Sequence, residues 1–290
     1  MQTEYQQYMI EGQRAGLRYC LVPPRNVPQG LIGMQMGNRP GSSLEFMDHR
    51  EYQPGDDLRR IDWSAYARSD KLTVKLYREE VNPHVDIVID GSASMALQDS
   101  RKAHATLALA ALLAQSADNA GYAHRAWLAG EVCQEITNST EQPATWQSID
   151  FDYTGNPGES LMKQTSPLQP RGIRIFISDL LWLYDPMATL LRLLEKATSV
   201  FVIQLLAKAD VAAPERGNIR LVDSETQQIL ELFIDASTQQ RYRDRLSGHQ
   251  QNWHNCTRQC GATMATLIAE DMLANWDLSE LLQKEILRVS

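Results

Sequence analysis

Val85-Asp86-Ile87-Val88-Ile89-Asp90-Gly91-Ser92-Ala93-Ser94 is where the chain changes character. Its first six residues are a mostly β-branched apolar run ending in an acid. That pattern reads as a strand buried on both faces. Downstream, Asp99 or Ser100 caps an Ala/Leu-rich helix running to about Asn119 and closed by Gly121. Tyr122–Ala129 and Val132–Ile136 read as a strand pair around Gly130, and 138–158 reads as loop before a short helix near Leu161. Ile173–Ser178 is a second buried strand, followed at once by the acid Asp179. A helix over Pro186–Ala197 and a third strand over Val200–Leu206 follow. Asn218–Val222 and Gln228–Phe233 flank Asp223-Ser224-Glu225 as a hairpin. Ser237–Cys260 is a long polar helix ended by Gly261, Met264–Ala269 a last strand, and Leu278–Val289 a last helix. Buried strands alternating with helices predict an α/β fold, a mostly parallel sheet with helices on both faces.

In such sheets ligands sit beyond the carboxyl ends of the strands. Asp90, Ser92 and Ser94 form D-x-S-x-S on one tight loop there. A carboxylate and two hydroxyls suit a hard divalent cation such as Mg²⁺, which takes oxygen ligands and keeps several waters. Open positions on the ion can accept a carboxylate from a partner. Asp179, ending another strand, is placed to complete the ring. The plainer alternative is that Asp90 caps a helix and the serines satisfy turn amides.

Residues 1–47 begin with a polar helix to about Ala15. They then carry Pro23-Pro24, Pro28, Gly30, Gly33, Gly37, Pro40 and Gly41, which suit short strands or loops. Residues 48–84 mix 7 Lys+Arg with 8 Asp+Glu around aromatics, and Leu72–Tyr77 has the alternation of a strand. This near-neutral mixture suits an internally paired network or a docking surface.

The whole chain has 290 residues, a net charge of −8 and a pI near 5.3. Such acidity argues against a nucleic-acid coat. The apolar run Ala103–Ala114 is too short and too interrupted to cross a bilayer, and the polar start shows no signal core. The expectation is a cytoplasmic protein without a membrane span. Cys20, Cys133, Cys256 and Cys260 form no disulfide framework. His249, His254, Cys256 and Cys260 lie on one predicted helix, which cannot surround a tetrahedral zinc. A phosphatase built on Asp90 lacks the second acid at the required spacing, and no G-x-S-x-G marks a serine hydrolase.

Two resemblances sharpen this. Asp90-Gly91-Ser92-Ala93-Ser94 after an apolar strand resembles the metal-ion-dependent adhesion site of von Willebrand factor A domains. The stretch Glu45 to Trp63, E-F-x-x-x-R-x-Y-x-P-G-D-D-x-R-x-I-D-W, resembles the bacterial family catalogued as domain of unknown function 58. The resemblance implies an N-terminal β-rich extension over 1–84 and a von Willebrand factor A-like Rossmannoid domain over 85–290. It implies Asp90, Ser92 and Ser94 in the first metal loop and Asp179 in the third. The second loop normally supplies a Thr after Gly; here Pro157-Gly158-Glu159-Ser160 offers Glu159 or Ser160 instead. Asp56, Asp57, Arg59, Arg60 and Asp62 are either a partner surface or a self-paired structural cluster. The implied role is a non-enzymatic adaptor that helps a MoxR-type AAA+ ATPase act on client proteins. The alternatives are an Mg²⁺-dependent hydrolase using Asp90 and Asp179, or a scaffold with a vestigial metal loop.

Overall fold

The structure is a computed structural model that describes residues 2–23, 44–79, 84–97, 100–163, 168–222 and 228–290. The expected turns between Pro24 and Gly41, the Asp99 cap and the Asp223-Ser224-Glu225 turn lie outside the described residues. The chain forms two compact units, one of residues 1–26 with 83–290 and the other of residues 27–82. The residues ahead of 84 are therefore divided between the two.

The smaller unit contains an antiparallel pair, Leu44–Glu51 with Thr73–Glu79, and a short helix Trp63–Ser69 between them. The larger unit opens with helix α1 (Gln2–Gly16) and holds a six-stranded sheet. Its strands are βA (His84–Asp90), βB (Ala123–Ala129), βC (Cys133–Glu135), βD (Ile173–Ser178), βE (Ser199–Leu206) and βF (Thr263–Ile268), in the spatial order F-E-D-A-B-C. Five run parallel, and βC returns antiparallel to βB.

Alternation along each strand loads both faces. Val85, Ile87 and Ile89 of βA face one core with Ile175 and Ile177 of βD and the apolar side of helix α2 (Lys102–Asn119). Val88, Phe176 and Val202 face the other, with Leu190 and Leu193 of helix α3 (Pro186–Leu194) and Trp253 of helix α4 (Ala236–Cys260). This explains why the strands read as mostly apolar runs, interrupted only singly, as by Asp86, Arg174 and Gln204.

Helix α1 lies tightly on α2. A Cβ at Gly12 would sit 2.0 Å from the Ala108 carbonyl oxygen. Asn119 holds the exit of α1 by donating Nδ2 to the Gly16 and Tyr19 carbonyls at 3.0 and 2.7 Å. Gly12→Ala should therefore force the helices apart and destabilise the protein by about 1–3 kcal/mol, despite the better helix propensity of alanine. Urea denaturation of the two forms measures it; equal midpoints would contradict the close packing.

The C-terminal element differs from expectation. The predicted helix Leu278–Val289 is a short helix, Ser279–Gln283, and then a strand, Leu287–Val289. Glu285 has φ 55°, which ends the helix. Tyr19–Leu21 then pairs antiparallel with Leu287–Val289, which buries Leu21 and Leu287. A long-range partner thus overrides local helix propensity.

Candidate functional site

The sheet's order reverses between βA and βD. The chain leaves βA through α2 to βB on one side, and leaves βD through α3 to βE on the other. The carboxyl ends of these two neighbours form the crevice where open α/β sheets take ligands. Asp90 ends βA and Asp179 follows βD, so both acids lie at the switch point.

The structure brings Asp90, Ser92, Ser94 and Asp179 into one hydrogen-bonded cluster. Ser92 Oγ and Ser94 Oγ are 3.0 Å apart, and Ser94 Oγ donates to Asp179 Oδ2 at 3.2 Å. Asp90 Oδ1 accepts from the Ser92 amide at 2.8 Å, and its Oδ2 accepts from Ser178 Oγ at 2.6 Å. Asp179 Oδ1 accepts from the Leu181 amide at 3.0 Å. Beneath it, Gln204 Nε2 donates to the Asp179 carbonyl at 3.0 Å, and Thr266 and Gln250 hold the Gln204 amide. The loop backbone is fixed as well: Ala93 N donates to the Tyr153 carbonyl and Tyr153 N to the Gly91 carbonyl.

Two residues join the cluster that the motif does not contain. Lys102, the first residue of α2, donates Nζ to Asp179 Oδ2 at 2.8 Å and pairs with Asp210 Oδ2 at 3.1 Å. The Lys102 and Asp179 side chains are each only 1% exposed. Asp210 follows βE, and its Oδ2 also takes the Ala207 amide at 2.8 Å. The strand-end rule, applied to Val200–Leu206, points to Asp210. A lysine at the start of an apolar helix reads in sequence as a solvated end, so Lys102 gave no signal.

Two carboxylates, Asp179 and Asp210, thus face one ammonium, and Asp90 lies beside them with no cation of its own. Burial, then the neighbouring Asp179 charge, pushes Asp90 up to about 7, against the hydrogen bonds of Ser178 and Ser92 that favour its ionised form. An acid so placed is short of positive charge, which a divalent cation would supply. Among the described residues no three His, Cys, Asp or Glu side chains converge to hold a metal. The fitting donors are instead the two hydroxyls, with Asp90 and Asp179 acting through water, since all four of their oxygens already accept hydrogen bonds. That set suits Mg²⁺, which keeps several waters.

The second-loop candidates do not join this cluster. Glu159 is exposed. Ser160 is buried, and its Oγ has no hydrogen-bond partner among the described residues. On α4, His249 Nε2 donates to the Leu180 carbonyl at 2.5 Å and Cys260 Sγ contacts Met187 Sδ at 3.2 Å, which ties that helix to the Asp179 loop and to α3.

In the smaller unit, Asp62 caps the helix Trp63–Ser69 by accepting from the Ser64 and Ala65 amides, both at 3.0 Å. Its other oxygen meets His49 at 2.7 Å and Lys75 at 3.6 Å. The His49 hydrogen bond and the Ala65 amide hold the Asp62 carboxyl down at about 2. Asp56 takes Arg50 Nη2 at 2.8 Å and the Gln53 amide at 2.9 Å. Asp57 takes the Arg59 amide and side chain, and that arginine is 90% exposed. Asp56 and Asp62 thus organise the unit locally, while Asp57 and Arg59 lie on its surface. The Arg60 side chain lies outside the described residues.

The family described as "Protein of unknown function DUF58" matches residues 48–252, more than half of the chain. The chain belongs to the DUF58 family. That match spans the Arg50 to Trp63 motif, the Asp90 loop, Asp179 and Asp210 together. Uncharacterized proteins of Mycobacterium tuberculosis and Mycobacterium bovis are each 28% identical to this DUF58 chain over 258 residues, covering 84% of it and 81% of their own length. Among solved structures, the conserved hypothetical protein BatB from Bacteroides thetaiotaomicron aligns with TM-score 0.36 at 11% identity, over 70% of this chain and 98% of its own. An aerotolerance-related membrane protein from Bacteroides fragilis aligns with TM-score 0.34 at 12% identity, over 69% and 99%. Among the described residues no helix is long and apolar enough to cross a membrane.

Proposed function

We propose that this DUF58 chain is a non-enzymatic, cytoplasmic adaptor built on a von Willebrand factor A-like domain. Its adhesion-type loop takes Mg²⁺ through Ser92 and Ser94, backed by Asp90 and Asp179. The ion's open position takes a carboxylate of a partner, in a task shared with a MoxR-type AAA+ ATPase acting on client proteins. The observation that carries this reading is the pair of serine hydroxyls 3.0 Å apart, set between two carboxylates at the sheet's switch point. The adhesion-site motif and the upstream family motif supply the adaptor role and the ATPase.

A hydrolase built on Asp90 and Asp179 would need those carboxylates within reach of a substrate proton. Asp90 is fully buried and Asp179 nearly so, and their oxygens are already engaged within the fold. That geometry favours holding an ion over moving a proton.

Surface plasmon resonance between the full chain and a co-encoded MoxR-type ATPase tests the role. Capture in Mg²⁺ is expected, with loss in EDTA and in the Ser92→Ala, Ser94→Ala double variant. If the cluster Asp56, Asp57, Arg59, Arg60 and Asp62 is the docking surface instead, capture ignores EDTA and fails when the Asp57 and Arg59 charges are reversed. High salt then weakens it through screening. No capture under any condition contradicts the adaptor reading and leaves the scaffold.

A further inference from the structure

We propose that the Lys102 ammonium is a built-in rival of the divalent cation: it neutralises Asp179 and Asp210 when no ion is bound, and so sets how tightly the site holds one. The inference rests on the cation reading of the Asp90 loop.

Lys102 is in an expensive position. It is the first residue of α2, where the helix dipole repels a cation, and its long side chain is frozen and withdrawn from water. What stabilises it there is two carboxylates, Asp179 Oδ2 at 2.8 Å and Asp210 Oδ2 at 3.1 Å. The first of these oxygens is also the one that Ser94 Oγ reaches, at 3.2 Å. The ammonium and the hydroxyl on which the ion depends therefore share one carboxylate oxygen. An ion drawn to Ser94 meets a carboxylate already spoken for, and a positive charge one hydrogen bond away. In a buried site that repulsion is poorly screened.

The ammonium also ties three elements together: the start of α2, the loop after βD and the turn after βE. A purely structural clamp would have the same contacts. The two roles separate in cation affinity. The clamp leaves affinity unchanged when its charge is removed and the fold survives; the rival raises it.

Calorimetric titration of the metal-stripped full chain with Mg²⁺ compares wild type with Lys102→Met, which keeps the length and removes the charge. Binding about tenfold tighter in the variant is expected, from loss of one nearby unscreened positive charge. Its melting temperature in EDTA should fall, and excess Mg²⁺ should restore much of the loss. Wild-type binding with no tightening in a folded Lys102→Met overturns this inference and leaves the cation reading standing. No binding in either protein overturns both. If Lys102→Met does not fold, Asp210→Asn carries the test. It leaves the ammonium to Asp179 alone, so Mg²⁺ binding should weaken about tenfold through one lost carboxylate. Unchanged affinity there overturns the inference.

Discussion

Asp90→Asn is expected to stabilise the metal-free protein, and by more at neutral pH than in acid. Burial and the Asp179 charge push the folded Asp90 up to about 7, while an unfolded aspartate titrates near about 4. Between those values the folded state holds a proton that the unfolded state has released. Stability therefore falls as pH rises through this window, and the whole penalty is present above it. At about 1.4 kcal/mol per pKa unit, the contribution amounts to a few kcal/mol. Asparagine keeps the shape and has an oxygen to accept from the Ser92 amide or Ser178, with no charge to bury. Urea denaturation in EDTA across the window measures it. Wild type should lose stability toward neutral pH relative to the variant, whose curve lacks this slope. In Mg²⁺ the order reverses, because the ion supplies wild type with the missing charge and has much less to hold in the variant. Parallel pH profiles for the two proteins would show that Asp90 is not short of counter-charge.

The neighbouring acid should behave in the opposite way. Asp179→Asn takes from Lys102 a carboxylate 2.8 Å away and leaves an ammonium only 1% exposed with Asp210 as its remaining partner. Breaking a buried pair on one side leaves a charge uncompensated and typically costs about 3–5 kcal/mol. The amide must also satisfy the Leu181 amide and Ser94 hydroxyl that the carboxylate served. The same denaturation series in EDTA should show a marked loss of stability near neutral pH. A cost below about 1 kcal/mol, the scale of an exposed ion pair, would show that the Lys102 pairing contributes little. Two aspartates in one cluster, with opposite expected signs, separate an electrostatic account from general sensitivity of the site.

Much of this was legible in the sequence because burial on both faces leaves a strong local mark. βA, βD and βE appear as mostly apolar runs, and α4, read from Ser237, ends at Gly261 with φ 71°. The DxSxS loop and Asp179 were visible because the motif and the strand-end rule point to the same place. What escaped depended on partners far away in sequence. Leu287–Val289 is a strand only because Tyr19–Leu21 lies beside it. Lys102 enters the site only because α2 starts next to the loop after βD, and the linear pattern there shows nothing but the polar end of an apolar helix. The mixed charges from Arg50 to Asp62 permitted two readings, and in the described residues Asp56 and Asp62 bind within their own unit.

The most direct test of the account is calorimetric titration of the metal-stripped protein with Mg²⁺, wild type beside the Ser92→Ala, Ser94→Ala double variant. Saturable binding to wild type is expected, and none to a double variant that keeps its fold, because each alanine removes one direct oxygen ligand from an ion that otherwise has only water and water-bridged carboxylates. Equal Mg²⁺ binding by the two proteins, or no binding by wild type, would contradict it.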